Sequence, residues 1–299
     1  MKKQLSAIAI ALVFAGSAAA QANDTLAKIK ASGSVTMGVR ESTAMSYALG
    51  DGRYTGLHYE VCSNIIRDIQ KSLGLTKLDT KYQLVTSQNR IPLVQNGGVD
   101  LECGATTNNA ARQRDVAFAM TTYVEEVRMA VRANSGINSI KDLAGKTVVT
   151  TTGTTSVQTL RKNERAGGID FKELFGKDHA ESFLLLEQAR ADAYVIDAST
   201  LAALIAKSKT PKDFKIVGEP LSVEPIAIMI RKDDPAFKKA VDDSIKAQIK
   251  SGELVQLWDK WFMKPIPPNN VTVGLPLSQA TKDAWANPTD KPAEDYARK

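Results

Sequence analysis

The chain has 299 residues, 43% hydrophobic and 24% charged, with two cysteines, two histidines and a formal net charge of +6. That length suits one large or two modest domains. The positive excess is mild and its charges are interspersed, with no basic stripe interleaved with aromatics, which argues against a nucleic-acid binder. Beyond the N-terminus no stretch approaches the ~20 apolar residues of a membrane span.

Residues 1–22 read as a secretory signal. Lys2 and Lys3 form a positive end, Ala7 to Phe14 an apolar run, and Ser17 to Ala22 a small-residue cleavage region. Cuts after Ala20 and after Ala22 both fit, and there is no Cys at either to carry a lipid. Taking Lys2 and Lys3 from the 39 basic residues leaves 37 against 33 acidic ones, a net +4. The expected product is exported and soluble. Cys62 and Cys103 could pair in an oxidising compartment. Cys62 falls in a predicted helix and Cys103 at a strand end, so the sequence leaves their separation, and the pairing, open.

A short helix is predicted over Thr25 to Ala31, then a strand over Val35 to Val39 that runs directly into Arg40. A helix over Glu60 to Leu73 carries Val61, Ile65, Ile66 and Ile69 on one face. The strand Lys81 to Thr86 leads into Ser87-Gln88-Asn89-Arg90. If Ser87 caps a helix, Ser87 and Arg90 point from its first turn toward one spot. Val99 to Glu102 alternates like a half-buried strand and opens into Cys103-Gly104-Ala105-Thr106-Thr107, with Arg112 five residues beyond. Hydroxyls and arginines at the carboxyl ends of neighbouring strands suit a bound anion.

An extended run, Glu126 to Arg132, follows. Ser139 to Val149 then reads as short helix, glycine stop and new strand, which restarts a βαβ pattern. The hydroxyl-rich turn Thr151 to Ser156 opens a helix from about Val157 to Glu164 and presents free backbone N–H groups. It lacks the glycine-lysine spacing of a nucleotide loop. His179 begins a helix to Arg190, Asp192 to Asp197 is a strand ending in an acid, and Ala198 to Lys207 is a helix. After a strand at Phe214 to Val217 comes a second extended run, Glu224 to Ile230. Asp233-Asp234-Pro235 caps a helix from about Ala236 to Lys250. Leu254, Leu257, Trp258 and Trp261 mark a last packed helix, and the tail from Lys264 reads as irregular. If both extended runs cross between lobes, they create a cleft with a hinge at its base.

This order resembles the periplasmic solute-binding proteins of family 3, which feed amino-acid ABC importers. The resemblance rests on Arg40-Glu41-Ser42, Thr86 to Leu93, Glu102 to Gly104 with Thr106 to Asn109, Gly153 to Ser156, Lys177 to His179, Arg231 to Pro235 and Trp258 to Phe262. It implies an α/β periplasmic-binding-protein type II fold, two lobes joined by two hinge strands with the ligand in the cleft. The implied division is a signal at 1–22, a discontinuous first lobe at 23–130 and 225–299, and a second lobe at 131–224. The implied activity is capture of L-glutamate or L-aspartate by hinge closure and delivery to an inner-membrane ABC permease, by a periplasmic monomer with no cofactor and no metal.

Carried onto this chain, the resemblance puts Arg40, Ser87, Arg90 and His179 around the ligand's side-chain carboxylate. It puts Thr107, Arg112 and Thr155 on the α-carboxylate, and Asp197 with the Ala105 carbonyl on the α-ammonium. Two carboxylates need two cationic pockets, and arginine's fork gives paired bonds to each. The chain departs from the pattern at Ala105, where relatives often have Ser, at Ala198, where a second acid is common, and over Gly56 to Glu60. A metal site from His58, Cys62, Glu102 and Cys103 matches no zinc spacing. The competing expectation is a periplasmic enzyme on the same fold, a dehydratase acting on a carboxylated substrate. The candidate acids and bases, Asp197 and His179, are then engaged by ligand ions, and no Ser/His/Asp or Cys/His arrangement is evident, so a non-enzyme is expected.

Overall fold

The computed structural model describes residues 24–41 and 43–296; the stretch read as an export signal lies outside them. In chain order the elements are α1 (Thr25–Ser32), β1 (Ser34–Val39), the hairpin β2 (Tyr47–Gly50) and β3 (Arg53–Thr55), α2 (Leu57–Ser72), β4 (Asp79–Leu84), α3 (Arg90–Gln95), β5 (Leu101–Glu102) and β6 (Ala117–Arg132). There follow β7 (Thr147–Thr151), α4 (Thr155–Gly167), β8 (Lys172–Gly176), α5 (His179–Glu187), β9 (Ala193–Asp197), α6 (Ala198–Lys207), β10 (Phe214–Ile230), α7 (Pro235–Lys250), α8 (Glu253–Trp258), α9 (Gln279–Ala286) and α10 (Ala293–Tyr296).

Eight strands form one sheet in the order β4-β1-β5-β10-β6-β9-β7-β8. β1 runs parallel to β4 and β5, and β7 runs parallel to β8 and β9. The two parallel sets are joined by β6 and β10, which pair antiparallel along nearly their whole length, from Phe214 opposite Arg132 to Ile230 opposite Ala117. The two extended runs in the sequence are therefore the C-terminal parts of longer strands, one running beside β9 and the other to β5. Each set is covered by helices on both faces, as parallel sheets require. Around the first set, Val61, Ile65 and Ile69 of α2 pack with Val35 and Met37 of β1 and with Phe237 and Val241 of α7. In the second set, Val127, Met129 and Val131 of β6 enter one core while Ala130 enters the opposite one, the period-2 signature of a strand buried on both faces.

Several local expectations shift. Ser87 does not cap a helix: α3 starts at Arg90 after Asn89, and the Ser87 hydroxyl accepts from Arg40 instead. Asp234 does cap α7, accepting from Phe237 N. The tail is not irregular throughout. Ser278 accepts from Thr281 N and starts α9, which packs against β6: Trp285 Nε1 donates to Thr122 O at 2.7 Å, and Val124 N donates to Thr281 Oγ1 at 3.0 Å.

Cys62 of α2 and Cys103, just after β5, form a disulfide with Cα atoms 6.4 Å apart, closing a loop of 41 residues. Cross-linking a loop of that size removes unfolded-state entropy. Replacing both cysteines by serine is expected to lower stability by about 3 kcal/mol, checked by urea unfolding of the ligand-free protein against wild type.

Candidate functional site

Every residue singled out from the sequence lies at the carboxyl end of a strand in one of the two parallel sets, or in the turn or helix start that follows. Arg40 follows β1, Ser87 and Arg90 follow β4, and Ala105, Thr107 and Arg112 follow β5. Thr155 opens α4 after β7, His179 opens α5 after β8, and Asp197 ends β9. Strand ends facing a crevice are where open α/β sheets place ligands. The two sets face each other and touch. Arg40 Nη2 lies 2.8 Å from Ser87 Oγ and 3.2 Å from His179 Nε2, and Arg112 Nη2 lies 3.4 Å from Gly153 O. Gly153, at φ +80°, has no room for a side chain, because a Cβ there would sit 2.7 Å from Ser87 O. A small hollow of about 10 Å³, roughly one water's worth of room, remains between them, lined by Ser87, Arg90, Ala105, Thr107, Thr155 and His179, with Thr154, Ile196 and Asp197. Arg40 stands behind Ser87 and His179, and Arg112 faces an adjoining hollow with Gly153 and Thr155.

The electrostatics of this crevice are unusual. Arg40, Arg90 and Arg112 are all buried, and each donates only to neutral partners. Arg40 reaches Ser87 and His179, Arg90 reaches the Ala105 carbonyl and the Thr106 hydroxyl, and Arg112 reaches the Thr107 and Gly153 carbonyls. Arg40 Nη1 and Arg90 Nε have no partner among the described residues. Burial lowers all three guanidinium pKa values, with Arg90 adding repulsion to the other two: Arg40 falls to about 10 and Arg112 to about 9. The buried Glu102 and Asp197 carboxylates, and Glu224 for Arg90 and Arg112, pull the other way without bonding any of the three directly, and desolvated cations without a bonded counter-ion are costly.

His179 is held neutral. Its Nε2 accepts from Arg40, so its proton sits on Nδ1, 3.1 Å from both Thr151 Oγ1 and Tyr194 OH. Burial, and then Arg40 and Arg90, push its pKa well below the ordinary histidine value. Asp197, 6% exposed, caps nothing through its side chain. Burial, followed by the nearby Glu125 and Glu224 carboxylates, raises its pKa well above the usual range, with Arg90 and Arg112 pulling against them.

Two residues of this neighbourhood escaped the sequence reading, which placed the extended runs but not what their acids do. Glu125 of β6 and Glu224 of β10 are cross-strand partners at the junction of the two strand sets. Glu125 accepts from the Ser199 hydroxyl at the start of α6, and burial lifts its pKa to about 7. Glu224 Oε2 accepts from Thr107 Oγ1 at 2.5 Å and Thr155 Oγ1 at 2.7 Å. The available signal was an acid in the middle of a β-branched, apolar run, where only a paired carboxylate is tolerated. His58 is buried on Gly104 O and Thr122 Oγ1, away from the crevice, and no cluster of three metal-ligating side chains occurs among the described residues.

Two α/β lobes closing on a small polar cavity, with buried cations on its walls, define a ligand-capturing protein of the two-lobed kind. The pattern of the bacterial extracellular solute-binding proteins, family 3, matches residues 35–264, and the chain belongs to that family. The L-glutamate/L-aspartate-binding protein of Pseudomonas aeruginosa is 41% identical over 291 residues, covering 97% of this chain and 96% of its own. The glutamate/aspartate import solute-binding protein of Escherichia coli K12 is 40% identical over 286 residues, covering 95% of each chain. Both relatives are binding proteins rather than enzymes. Among solved structures, an ABC uptake transporter substrate binding protein from Streptococcus pneumoniae with bound histidine superposes with a TM-score of 0.71 at 21% identity, over 82% of this chain and 98% of that one, which shows the shared fold.

Proposed function

We propose that this protein captures L-glutamate or L-aspartate in the periplasm by closure of its two lobes and, as a monomer, hands it to an inner-membrane ABC permease. The observation that carries the reading is the set of three buried guanidiniums bonded only to neutral groups, beside a buried carboxylate, Asp197, that lines the same cavity. A dicarboxylic amino acid supplies the missing anions and the missing cation together. The names of the P. aeruginosa and E. coli relatives support the same ligand class.

In this reading Arg40, Ser87 and Arg90 receive the side-chain carboxylate, with His179 beside them accepting from Arg40, and Asp197 with the Ala105 carbonyl receives the ammonium. Arg112, Thr107 and Thr155 receive the α-carboxylate, the threonines through backbone N–H groups. Thr155 opens α4, where first-turn N–H groups have no partner within the helix. The bonds of Asn108 N to Pro225 O and of Ala227 N to Thr106 O leave the N–H of Thr107 directed away from β10. The first lobe takes residues 23–130 and 225–299, the second 131–224, and β6 with β10 form the hinge.

Calorimetric titration of ligand-stripped protein tests this. Glutamate and aspartate are expected to bind, and glutamine at least about tenfold more weakly, because an amide leaves buried guanidiniums without a counter-charge. Equal affinity for glutamine, or no binding of either acid, would contradict the reading.

A further inference from the structure

Glu224 is 4% exposed and lies outside the cavity lining, one layer behind it. Its Oε2 receives the hydroxyl protons of Thr107, from the segment after β5, and of Thr155, at the start of α4. Its Oε1 receives that of Ser222 at 2.8 Å. One carboxylate oxygen thus gathers a proton from each side of the crevice. A hydroxyl has a single proton and a carboxylate is only an acceptor. With their protons committed to Glu224, both threonine oxygens have only lone pairs left for the cavity that they line. Asp197 and the Ala105 carbonyl, which line it too, are also acceptors. These four groups therefore present oxygens and no proton, the donors beside them being the backbone N–H groups of Thr107 and Thr155 given above to the α-carboxylate.

We infer that Glu224 is a specificity-determining positioning residue: by fixing the Thr107 and Thr155 hydroxyls as acceptors, it makes the site demand an α-ammonium and reject α-hydroxy and α-keto acids of the same skeleton. This rests on the function proposed above and goes beyond it, since Glu224 is not among the residues that line the cavity. An ammonium brings three donors and no lone pair, matching a corner made of acceptors. An α-hydroxyl brings one donor and no charge. An α-ketone brings none and sets its oxygen against four others. Changing Glu224 to Gln puts an amide N–H₂ where a pure acceptor stood, and a threonine hydroxyl is then free to turn its proton into the cavity.

The test is titration of ligand-stripped wild type, E224Q, T155V and T155S with L-glutamate and with L-2-hydroxyglutarate, folding being checked by circular dichroism. Wild type is expected to prefer the amino acid by at least about a thousandfold. E224Q is expected to reduce that ratio at least about tenfold, by weakening glutamate while hydroxyglutarate holds or improves. T155V is expected to reduce the ratio as well, and T155S, which keeps the hydroxyl, to restore it. If E224Q does not fold, the threonine pair carries the test. A ratio unchanged in E224Q or T155V, or an equal loss for both ligands, overturns the role of Glu224 while leaving the proposed function standing. A wild type that binds no glutamate overturns both.

Discussion

Arg112→Ala is expected to weaken glutamate binding by roughly 2–5 kcal/mol, on the order of thirtyfold to several thousandfold. The guanidinium is buried, and among the described residues its bonds go to the carbonyls of Thr107 and Gly153. Those two carbonyls come from opposite sides of the crevice, so the side chain also helps to bridge them. Without it an α-carboxylate would enter a dry site with backbone N–H groups and no guanidinium of its own, Arg90 being assigned to the other carboxylate. Arg112→Lys is expected to recover only part of the loss, since a point charge cannot reproduce the planar fork. The ligand-free protein gives the control. Burial of Arg112 lowers its pKa to about 9, so its charge opposes folding, and the alanine variant is expected to melt at or above the wild-type temperature. Titration calorimetry and thermal melts of the same preparations check both halves. Near-normal glutamate affinity in Arg112→Ala would remove Arg112 from the site.

Asp197→Asn is expected to produce a loss of similar size with a distinct pH signature. Burial raises the Asp197 carboxyl well above the usual range, with Glu125 and Glu224 adding to the effect. An ammonium binds the ionised carboxylate and not the acid. In wild type the affinity is therefore expected to fall as pH drops through the raised pKa, by up to about tenfold per pH unit. The sign follows from linkage: in that range the free protein holds a proton that the complex has lost, so acid favours the free form. The amide cannot titrate, so the variant is expected to bind weakly and to show little of this acid-side slope. Titrations from pH 5 to 8 separate the outcomes. A wild-type slope retained in full by Asp197→Asn would assign the titration to another group.

Much of the fold was legible because apolar periodicity reports burial. The face Val61, Ile65, Ile66 and Ile69 marked α2, and α6 was read over Ala198 to Lys207, the span the structure shows. The long strands were read short because β6 and β10 are buried along different stretches on different neighbours, and bulges between Val217 and Ser222 and near Ala227 break the alternation of β10. The hairpin of β2 and β3 was not read, since four- and three-residue strands carry too little pattern. The candidate site was legible where a polar residue follows a strand directly, as Arg40 does, or ends one, as Asp197 does. The partnership of Glu224 with Thr107 and Thr155 was not, because it joins positions 117 and 69 residues apart and no local spacing encodes such a meeting. The pairing of Cys62 with Cys103 stayed open for the same reason.

The tail beyond the family match has one further consequence. On the side of β6 that β10 does not use, Met120 N donates to Asp242, the Thr122 carbonyl accepts from Trp285, and Val124 bonds through both backbone groups to Thr281. An unfilled strand border is a template on which a second molecule can add its own strand. Here side chains of α7 and α9 occupy that border, so a crossing segment that has to flex is denied to intruding β-structure without being locked into a stiffer, wider sheet.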